Sequence, residues 1–401
     1  MRTTWNFYSA GQLVFGRGAV RELGDLAARR GWRRALVVTD RTLVHAGAVQ
    51  RVLDPLAQAG IAVEVFDGGE PEPSIEVALS AAEHARRFGP EMIVGVGGGS
   101  NLDLAKIVAI LHTHGGHPSA YFSWDNVPGP VTPLIGVPTT AGTGSEVSHA
   151  AVLTDTQQKI KVSTLSNYLR PAVAVVDPEL TVTCPAQVTA DSGIDALTHA
   201  IEAYTATDFS AMPVGPGETV PYDGRHPLGD VFAEKAIALI GQHLRTAVRE
   251  PENLDAREGM ALAATLAGLA FSNCGVALVH ALEYPMGGEL HCSHGAGNGL
   301  LLPYVMRYNL PERTPQLARI AALLGEDTQG LTEHQAAERA IMAVEQLKRD
   351  INIPERIRDL GARPSQLPGF AHKAFQIKRL MTTNPRRPTE EDLFTILQEA
   401  F

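Results

Sequence analysis

MIVGVGGGSNLDLAK, the stretch from Met92 to Lys106, decides how the first half of this chain folds. Its first residues form a continuous apolar run, which is typical of a strand buried on both faces. The glycines from Gly97 to Gly99 predict a tight turn, and the residues after them predict the start of a helix. Such a turn lets the backbone approach a phosphate closely, although a plain strand-to-helix connection has the same pattern.

Other short apolar runs, separated by helical patterns, surround this stretch. The predicted strands are Ala35–Thr39, Ile61–Phe66, Met92–Val96, Leu134–Val137 and Val173–Val176. The helical patterns between them include Ser74–Arg87 and Leu102–Leu111. Alternation of buried strands with helices predicts a parallel sheet covered on both faces.

The character of the sequence changes after Pro178, where strand patterns nearly vanish. The predicted helices are Val188–Thr205, Asp230–Arg249, Asp255–Asn273, Glu333–Arg349 and Glu390–Ala400. We therefore predict an α/β domain over residues 1–178 and an all-helical domain over residues 179–401. The segment Thr207–Gly229 is rich in Pro and Gly, and we interpret it as a long surface loop.

Composition narrows the class of protein. Hydrophobic residues make up 44% of the 401 residues, which is ample for packed cores. The net charge of −10 and the lack of a basic run disfavour a nucleic-acid or membrane partner. Three cysteines without CxxC spacing and an N-terminus without an apolar signal segment predict a soluble, cytoplasmic protein.

A second small-residue turn, PTTAGTGSE from Pro138 to Glu146, also follows an apolar strand. Two such turns in one parallel sheet would meet at its carboxyl edge, where open α/β sheets bind ligands, and a dinucleotide is the natural occupant. Asp40 ends an earlier strand and can bind ribose hydroxyls while repelling a 2′-phosphate, which favours NAD over NADP. An ordinary turn aspartate would show the same pattern.

The helical half carries candidate metal ligands. Asp195 and His199 are four residues apart on a predicted helix and share a face, as the members of a simple helical ion pair also do. Histidines are dense from His280 to His294. We expect a helix end, a break at Pro285, Gly287 and Gly288, and a second helix start to bring these two histidines together. One aspartate and three histidines suit iron(II) or zinc.

A competing cluster, His112, His114 and His117, lies after the helix that follows the glycine turn, in a loop with Gly and Pro. It has no acidic residue nearby, which makes it a weaker metal candidate. His291 and Cys292 lie inside the second ligand window, where they could line a substrate pocket or serve structure alone.

Taken together, these motifs resemble those of the iron-containing (group III) alcohol dehydrogenase family over most of the chain. The resemblance implies a dehydroquinate synthase-like fold, with a Rossmann-like domain, a helical domain and an active site in the cleft between them. The motifs that carry it are FGRG from Phe15, GGGSNLDLAK from Gly97, PTTAGTGSE from Pro138, AVVDPEL from Ala174, DALTH from Asp195 and the block from His280 to His294.

The resemblance also implies roles for individual residues. Gly97, Gly98, Gly99 and Ser100 would hold the pyrophosphate, and Thr139, Thr140 and Thr143 would line the nicotinamide and phosphate region. Asp40 would discriminate the ribose, and Lys161 matches a cofactor-contacting lysine. Asp103 would lie near cofactor or substrate. The metal ligands would be Asp195, His199, His280 and His294.

Three departures from the family pattern stand out. Asn101 occupies a place where the glycine motif often has Pro or Ser. Tyr284 stands where many members carry a histidine near the substrate, so either Tyr284 or His291 is the candidate proton relay. The loop Thr207–Gly229 is longer than the family norm, and it could cover the cleft or form an oligomer contact.

The predicted function is hydride transfer between an alcohol or aldehyde and NAD(H), with the metal acting on the substrate oxygen. A homodimer is the default assembly. The main alternative is a hydroxyacid–oxoacid transhydrogenase that keeps its nicotinamide bound. A zinc enzyme related to glycerol dehydrogenase, a metal-free reductase related to maleylacetate reductase, and a non-catalytic nucleotide-binding protein fit the ligand residues less well.

Overall fold

The computed structural model describes residues 2–157, 160–215 and 217–401. The chain forms two compact units: a sheet unit, Tyr8–Cys184, and a helical unit, Pro185–Phe401, which also includes the N-terminal residues up to Phe7. The boundary predicted after Pro178 lies shortly before the point where the units part. The predicted combination of an α/β unit and an all-helical unit is confirmed.

The sheet unit is built on six parallel strands in the order β1-β9-β6-β4-β2-β3. These strands are β1 (Leu13–Phe15), β2 (Arg34–Val38), β3 (Ala62–Phe66), β4 (Met92–Gly97), β6 (Leu134–Pro138) and β9 (Val173–Val176). A smaller three-stranded sheet contains β5 (Ser123–Trp124), β7 (Ala150–Asp155) and β8 (Ile160–Leu165). The five predicted strands all lie in the larger sheet, whereas β1 and the smaller sheet were not predicted.

Five helices accompany these strands: α1 (Leu23–Arg29), α2 (Arg41–His45), α3 (Gln50–Gln58), α4 (Ile75–Phe88) and α5 (Gly99–His114). Alternate residues of the central strands face different layers, because successive side chains of a strand point to opposite faces. Leu36 and Ile93 pack in a cluster with α4 and α5. Val37 and Val94 pack in a second cluster with α1 and α3. Two covered faces explain why these strands are apolar throughout.

The strand order places a topological switch point between β2 and β4. The chain passes from β2 outward to β3, and then returns to add β4 on the other side of β2. Parallel α/β sheets bind ligands at the carboxyl ends of the strands at such a point. Asp40 follows β2 and the glycine turn follows β4, so both predicted cofactor elements lie there.

The helical unit contains nine helices within its described residues. They are α6 (Ala186–Thr205), α7 (Pro227–Arg249), α8 (Leu254–Cys274), α9 (Leu278–Leu290), α10 (His294–Leu323), α11 (Glu333–Asp350), α12 (Leu367–Phe375), α13 (Lys378–Thr383) and α14 (Glu390–Ala400). The five helices predicted in this half are confirmed, with ends that differ by at most a few residues.

The predicted break at Pro285, Gly287 and Gly288 is wrong. All three residues lie inside α9, and the chain leaves the helix only at His291, whose φ of 54° is left-handed. Proline and glycine disfavour helix interiors, but tertiary packing overrides these preferences. Here Met286 and Gly287 are buried in the helical unit.

The segment Thr207–Gly229 is more ordered than a plain surface loop, although its Pro216 lies outside the described residues. Helix α7 already begins at Pro227, and the ring of His226 caps it by accepting a hydrogen bond from the N–H of Gly229 at 3.1 Å. Arg225 bonds the carboxylate of Asp230 at 2.8 Å and that of Asp208 at 3.1 Å. The end of the segment is therefore anchored to α7.

The N-terminal residues form a strap on the helical unit, which we define as Arg2–Phe7. Arg2 forms an ion pair with Asp223, and the N–H of Asn6 donates to the same carboxylate at 2.8 Å. The Trp5 ring stacks on that of His226 with centroids 4.3 Å apart. The strap therefore packs on the residues that lead into α7.

In the described part of the chain, no single helix has the length and apolar character to cross a membrane, although α8 and α9, bent by 104° at their break, meet that test as a pair.

Candidate metal centre and dinucleotide site

Asp195 and His199 lie on one face of α6, as their spacing predicted. Both side chains are buried, with 2% and 5% of their surface exposed. Oδ2 of Asp195 is 3.8 Å from Nδ1 of His199. The face they share points into the helical unit rather than to solvent, which is unusual for an ordinary helical ion pair.

Helices α9 and α10 bring two histidines to the same place. His280 lies in the first turn of α9, and His294 is the first residue of α10. One ligand atom from each of Asp195, His280 and His294 lies within 4.8 Å of the other two. In the described part of the chain, this is the cluster of histidines and acids whose geometry could hold a metal ion.

Glycines on α10 allow this convergence. A Cβ at Gly295 would lie 2.6 Å from the carbonyl carbon of Asp191 and 3.2 Å from Cβ of Asp195. A Cβ at Gly299 would lie 2.7 Å from the side chain of Ile194. Because Gly295 and Gly299 are four apart, they form a stripe on one face of α10. Only glycine lets α6 approach closely enough to bring Asp195 beside His294.

The outer nitrogen of each histidine contacts a buried carboxylate. Nδ1 of His280 is 2.6 Å from Oε2 of Glu202, and Nδ1 of His294 is 2.5 Å from Oε2 of Glu283. An ionised carboxylate only accepts hydrogen bonds, so opposite such a group each Nδ1 would be the donor and carry the proton. Each Nε2 then has a free lone pair, which is the form of imidazole that binds a metal.

Asn298 lies at the centre of the cluster and is fully buried. Its Nδ2 is 2.8 Å from Oδ1 of Asp195, 3.2 Å from Nε2 of His280 and 3.1 Å from Nε2 of His294. One donor group thus faces three acceptor atoms. This arrangement agrees with unprotonated Nε2 atoms and marks a place that attracts positive charge.

The electrostatics of the cluster also suit a cation. Burial acts to raise the pKa of Asp195, but the imidazoles of His199, His294 and His280 and the amide of Asn298 outweigh it and lower the pKa. Burial lowers the pKa of His199 to about 4, so this imidazole is neutral near pH 7. A carboxylate with neutral imidazoles is a donor set that iron(II) and zinc accept.

His199 lies beside the three convergent ligands rather than among them. Its ring stacks on that of His280 at a centroid distance of 4.8 Å and on that of Phe271 at 4.2 Å. Its buried Nδ1 has no hydrogen-bond partner. A buried imidazole nitrogen without a partner is energetically costly, and a metal ligand atom is one explanation. The fourth ligand therefore stays a prediction.

The two candidate proton relays occupy different surroundings. The Tyr284 ring lies 6.0 Å from that of His294 and 6.3 Å from that of His280, and burial raises the pKa of its phenol. His291 is exposed at the end of α9, and Cys292 follows it in the connection to α10. The geometry favours Tyr284 as the group nearer to the metal ligands.

The alternative histidine cluster has other partners. His114 contacts the carbonyl of Gly129 at 3.2 Å, and Nδ1 of His117 contacts Oγ of Ser119 at 2.8 Å. Burial lowers the pKa of His112. These histidines do not join a metal-binding group within the described residues.

In the sheet unit, the two small-residue turns meet as predicted. A Cβ at Gly99 would lie 2.8 Å from the Thr143 side chain, and one at Gly98 would lie 3.5 Å from that of Thr140. Gly97 has a φ of 143°, a backbone conformation that residues with a side chain rarely adopt. Thr139 joins β4 and β6 by donating its N–H to the carbonyl of Gly97 at 3.0 Å. A phosphate can approach the start of α5 between these turns.

Asp40 is tied to the glycine turn by Asn101. Nδ2 of Asn101 donates to Oδ2 of Asp40 at 2.7 Å, and Oδ1 of Asp40 caps α2 by accepting from the N–H of Leu43 at 3.0 Å. The departure at Asn101 therefore orients the predicted ribose ligand. Each carboxylate oxygen has further lone pairs, so both can still accept from ribose hydroxyls.

Asp103 and the buried Lys106 link α5 to the turn after β6 by hydrogen bonds. Oδ1 of Asp103 accepts from the hydroxyl of Ser145 at 2.6 Å, and Nζ of Lys106 donates to the same hydroxyl at 2.8 Å. Lys106 also donates to the carbonyl of Ala150 at 2.7 Å. The predicted catalytic role of Asp103 stays a prediction, and its contacts join α5 to the turn after β6.

Lys161 lies on β8 with its ammonium 2.6 Å from Oε1 of Glu72. Glu72 has a left-handed φ of 53°, and its N–H donates to the hydroxyl of Ser100 at 3.2 Å. Lys161 and Ser100, both predicted cofactor residues, are therefore connected through one strained residue.

Glu202, Glu283 and Asn298 were missed by reasoning from the sequence. The sequence did contain a signal, which is a histidine followed three residues later by a glutamate. It occurs twice, as HAIE from His199 to Glu202 and as HALE from His280 to Glu283. Each spacing of three suggests a pair on one helix. In the structure, however, each glutamate contacts a histidine of another helix, which local spacing does not reveal.

Comparison with known proteins identifies the chain's family. Residues 10–178 match the family model "Iron-containing alcohol dehydrogenase", and residues 222–401 match "Fe-containing alcohol dehydrogenase family, C-terminal". An NAD-dependent methanol dehydrogenase of Bacillus methanolicus is 36% identical, with 98% of this chain and 99% of that protein covered. A 1,3-propanediol dehydrogenase of Klebsiella pneumoniae is 40% identical, with 96% of each covered.

A solved structure of a 1,3-propanediol oxidoreductase matches with a TM-score of 0.93 at 38% identity, and 100% of each chain is covered. Similarity of this extent includes both units and the residues described above. The chain therefore belongs to the iron-containing alcohol dehydrogenase family and is an oxidoreductase.

Proposed function

We propose that this chain is a metal-dependent alcohol dehydrogenase that transfers hydride between an alcohol and NAD, and in reverse between NADH and an aldehyde. The observation that carries this proposal is the convergence of Asp195, His280 and His294, with Nε2 of both histidines facing Asn298 at the centre of the cluster. The NAD dependence named for the methanol dehydrogenase relative supports the choice of cofactor.

Asp195, His280 and His294 would hold the metal, with His199 as the fourth ligand. Bound there, a divalent cation supplies a Lewis acid that polarises the substrate oxygen. We propose iron(II) as the native metal, supported by the family, although zinc and other divalent ions suit the same donors. The uncharged His199 adds no repulsion toward the cation.

In this proposal the sheet unit binds the cofactor. The turn at Gly97–Ser100 holds the pyrophosphate against the N-terminus of α5, and Thr139, Thr140 and Thr143 line the nicotinamide side. Lys161 adds a positive charge beside the phosphates. Asp40, oriented by Asn101, accepts from the ribose and repels a 2′-phosphate.

Tyr284 is the proposed proton donor or acceptor near the substrate. A phenol is protonated at neutral pH, and burial raises the pKa of Tyr284 further. A protonated phenol can donate a hydrogen bond to a substrate oxygen. In the aldehyde-reducing direction, Tyr284 would give its proton to the substrate oxygen and regain one from water, with His291, exposed at the end of α9, as the carrier.

A short primary alcohol or a diol is the proposed substrate. The named activities of the relatives, on methanol and 1,3-propanediol, support this class. We also propose a cytoplasmic homodimer. Three cysteines without CxxC spacing fit a reducing compartment, and a two-fold dimer is the commonest assembly of soluble enzymes. Light scattering during gel filtration would measure the assembly.

The deciding experiment is a metal analysis of protein purified without added metal, followed by NAD reduction with methanol, ethanol and 1,3-propanediol. We expect bound divalent metal, loss of activity after chelation and recovery when iron(II) is returned. His280→Ala should lose metal and turnover together. Full metal content with full activity in that variant would overturn the assignment of this site.

A further inference from the structure

We propose that Glu202 and Glu283 are positioning residues of the metal centre, each setting the tautomer and orientation of a histidine on the next ligand-bearing helix. This inference rests on the proposed function of the cluster as a metal site. It goes further by assigning roles to two buried carboxylates that are not themselves ligands.

Glu202 lies on α6, seven residues after Asp195 and so on the same face. Its Oε2 contacts Nδ1 of His280 at 2.6 Å and accepts from the N–H of Ala277 at 2.8 Å. Its Oε1 accepts from the N–H of Val279 at 2.6 Å. Burying a carboxylate without hydrogen-bond partners is costly, and these three contacts provide such partners. The same group therefore fixes both the start of α9 and the ring that projects from it.

Glu283 makes the same kind of contact with a histidine one helix later. It lies on α9, one turn after His280, and its Oε2 contacts Nδ1 of His294 at the start of α10. Its side chain is fully buried. A Cβ at Gly297 would lie 2.9 Å from Cγ of Glu283, so the absence of a side chain there makes room for the glutamate. Each ligand-bearing helix thus positions a histidine on the following one. Glu202 on α6 contacts His280 on α9, and Glu283 on α9 contacts His294 on α10.

The tautomer is what each carboxylate controls. A neutral imidazole carries one N–H, and it binds a metal only through its other nitrogen. With an anionic acceptor at Nδ1, the proton stays there and Nε2 remains available. A glutamine at position 283 could present its NH2 group instead, which would favour a proton on Nε2 and so block the ligand atom.

The test measures binding of cobalt(II) to chelator-treated protein, in competition with a chelating dye. We expect Glu283→Gln and Glu202→Gln each to weaken binding by about 10- to 100-fold, the usual loss when such a partner is removed. Glu345→Gln is a matched control, because Glu345 pairs with Arg307 on the surface of the same unit. Its affinity should stay within about two-fold of that of the unaltered chain.

A second readout separates positioning from general damage to the fold. In metal-free protein with 15N-labelled histidine, NMR should show Nδ1–H tautomers for His280 and His294. Glu283→Gln should move only the His294 signal toward the Nε2–H form, and Glu202→Gln only that of His280. Loss of structure would alter both signals and lower the melting temperature.

The two levels of the proposal fail differently. If His280→Ala binds cobalt(II) as tightly as the unaltered chain, the metal site itself is refuted. If His280→Ala abolishes binding while both glutamine variants keep full affinity and unchanged tautomers, only the positioning role is overturned.

Discussion

The close packing of α6 against α10 makes Gly295→Ala a sharp test of how the metal ligands are brought together. The added Cβ would lie 2.6 Å from the carbonyl carbon of Asp191. Carbon atoms in contact prefer about 3.5 Å, so the helices would have to separate by roughly 1 Å. The clash involves backbone, which cannot rotate away as a side chain can.

The cost follows from this displacement. Overpacking costs about 1 to 3 kcal/mol, and a backbone clash belongs at the upper end. The helix propensity of alanine over glycine returns about 1 kcal/mol. A net loss of about 2 kcal/mol lowers the melting temperature of a unit of this size by about 4 to 8 °C. Separation of Asp195 from His294 should also weaken metal binding by about 10-fold or more.

Melting would be followed by circular dichroism in the presence of a chelator, so that metal loss does not contribute. Metal affinity would be measured separately by cobalt(II) titration. Gly369→Ala is the matched control, because its Cβ would meet nothing within 4 Å on α12. That variant should melt at the same temperature or slightly higher. Unchanged melting and unchanged metal affinity in Gly295→Ala would refute the idea that helix spacing sets the site.

Three other perturbations test separate parts of the structure. Burial lowers the pKa of Lys106 to about 8, below the 10.5 of the unfolded chain. Between these two pH values the unfolded state binds more protons than the folded state. The free energy of unfolding should therefore rise from about pH 8 to 10. Urea melts should show a weaker rise for Lys106→Met, and an equal slope would contradict the burial of the amine. Asp40→Asn should improve kcat/KM with NADP relative to NAD by about 10-fold or more, since a repulsive charge is removed; an unchanged ratio in steady-state assays would remove Asp40 from the ribose site. Thr332→Ala should lower the free energy of unfolding by about 1 kcal/mol, because it removes the capping box at the start of α11. Its metal content should not change. Urea melts that match those of the unaltered chain would show that the cap contributes nothing.

Local patterns predicted half of the described α-helices and five of the nine described strands, each from the repeat within a single element. The apolar run before Gly97 and the spacing of Asp195 and His199 each reflect the repeat of one element. Strand β1 was missed because it has only three residues, and its pairing of Leu13 with Ala174 joins distant parts of the chain. The smaller sheet depends on similar non-local pairing.

The candidate site was predictable only in its ligand types. The sequence shows that Asp195, His280 and His294 are suitable donors, but not that glycines at 295 and 299 let their helices meet. The interior position of Pro285 shows the same limit, since packing of α9 outweighs the local preference of proline. Glu202 and Glu283 escaped prediction because each acts on a neighbouring helix rather than on its own.

The strap Arg2–Phe7 has a consequence for biosynthesis. It is synthesised before its partners Asp223 and His226, which follow more than 200 residues later in the chain. The sheet unit can fold once the chain has been synthesised as far as Cys184. The strap can dock only after the residues at the start of α7 have been synthesised. An affinity tag joined directly before Arg2 would therefore lie beside the start of α7, and a tag placed after Phe401 is the better choice for preserving that region.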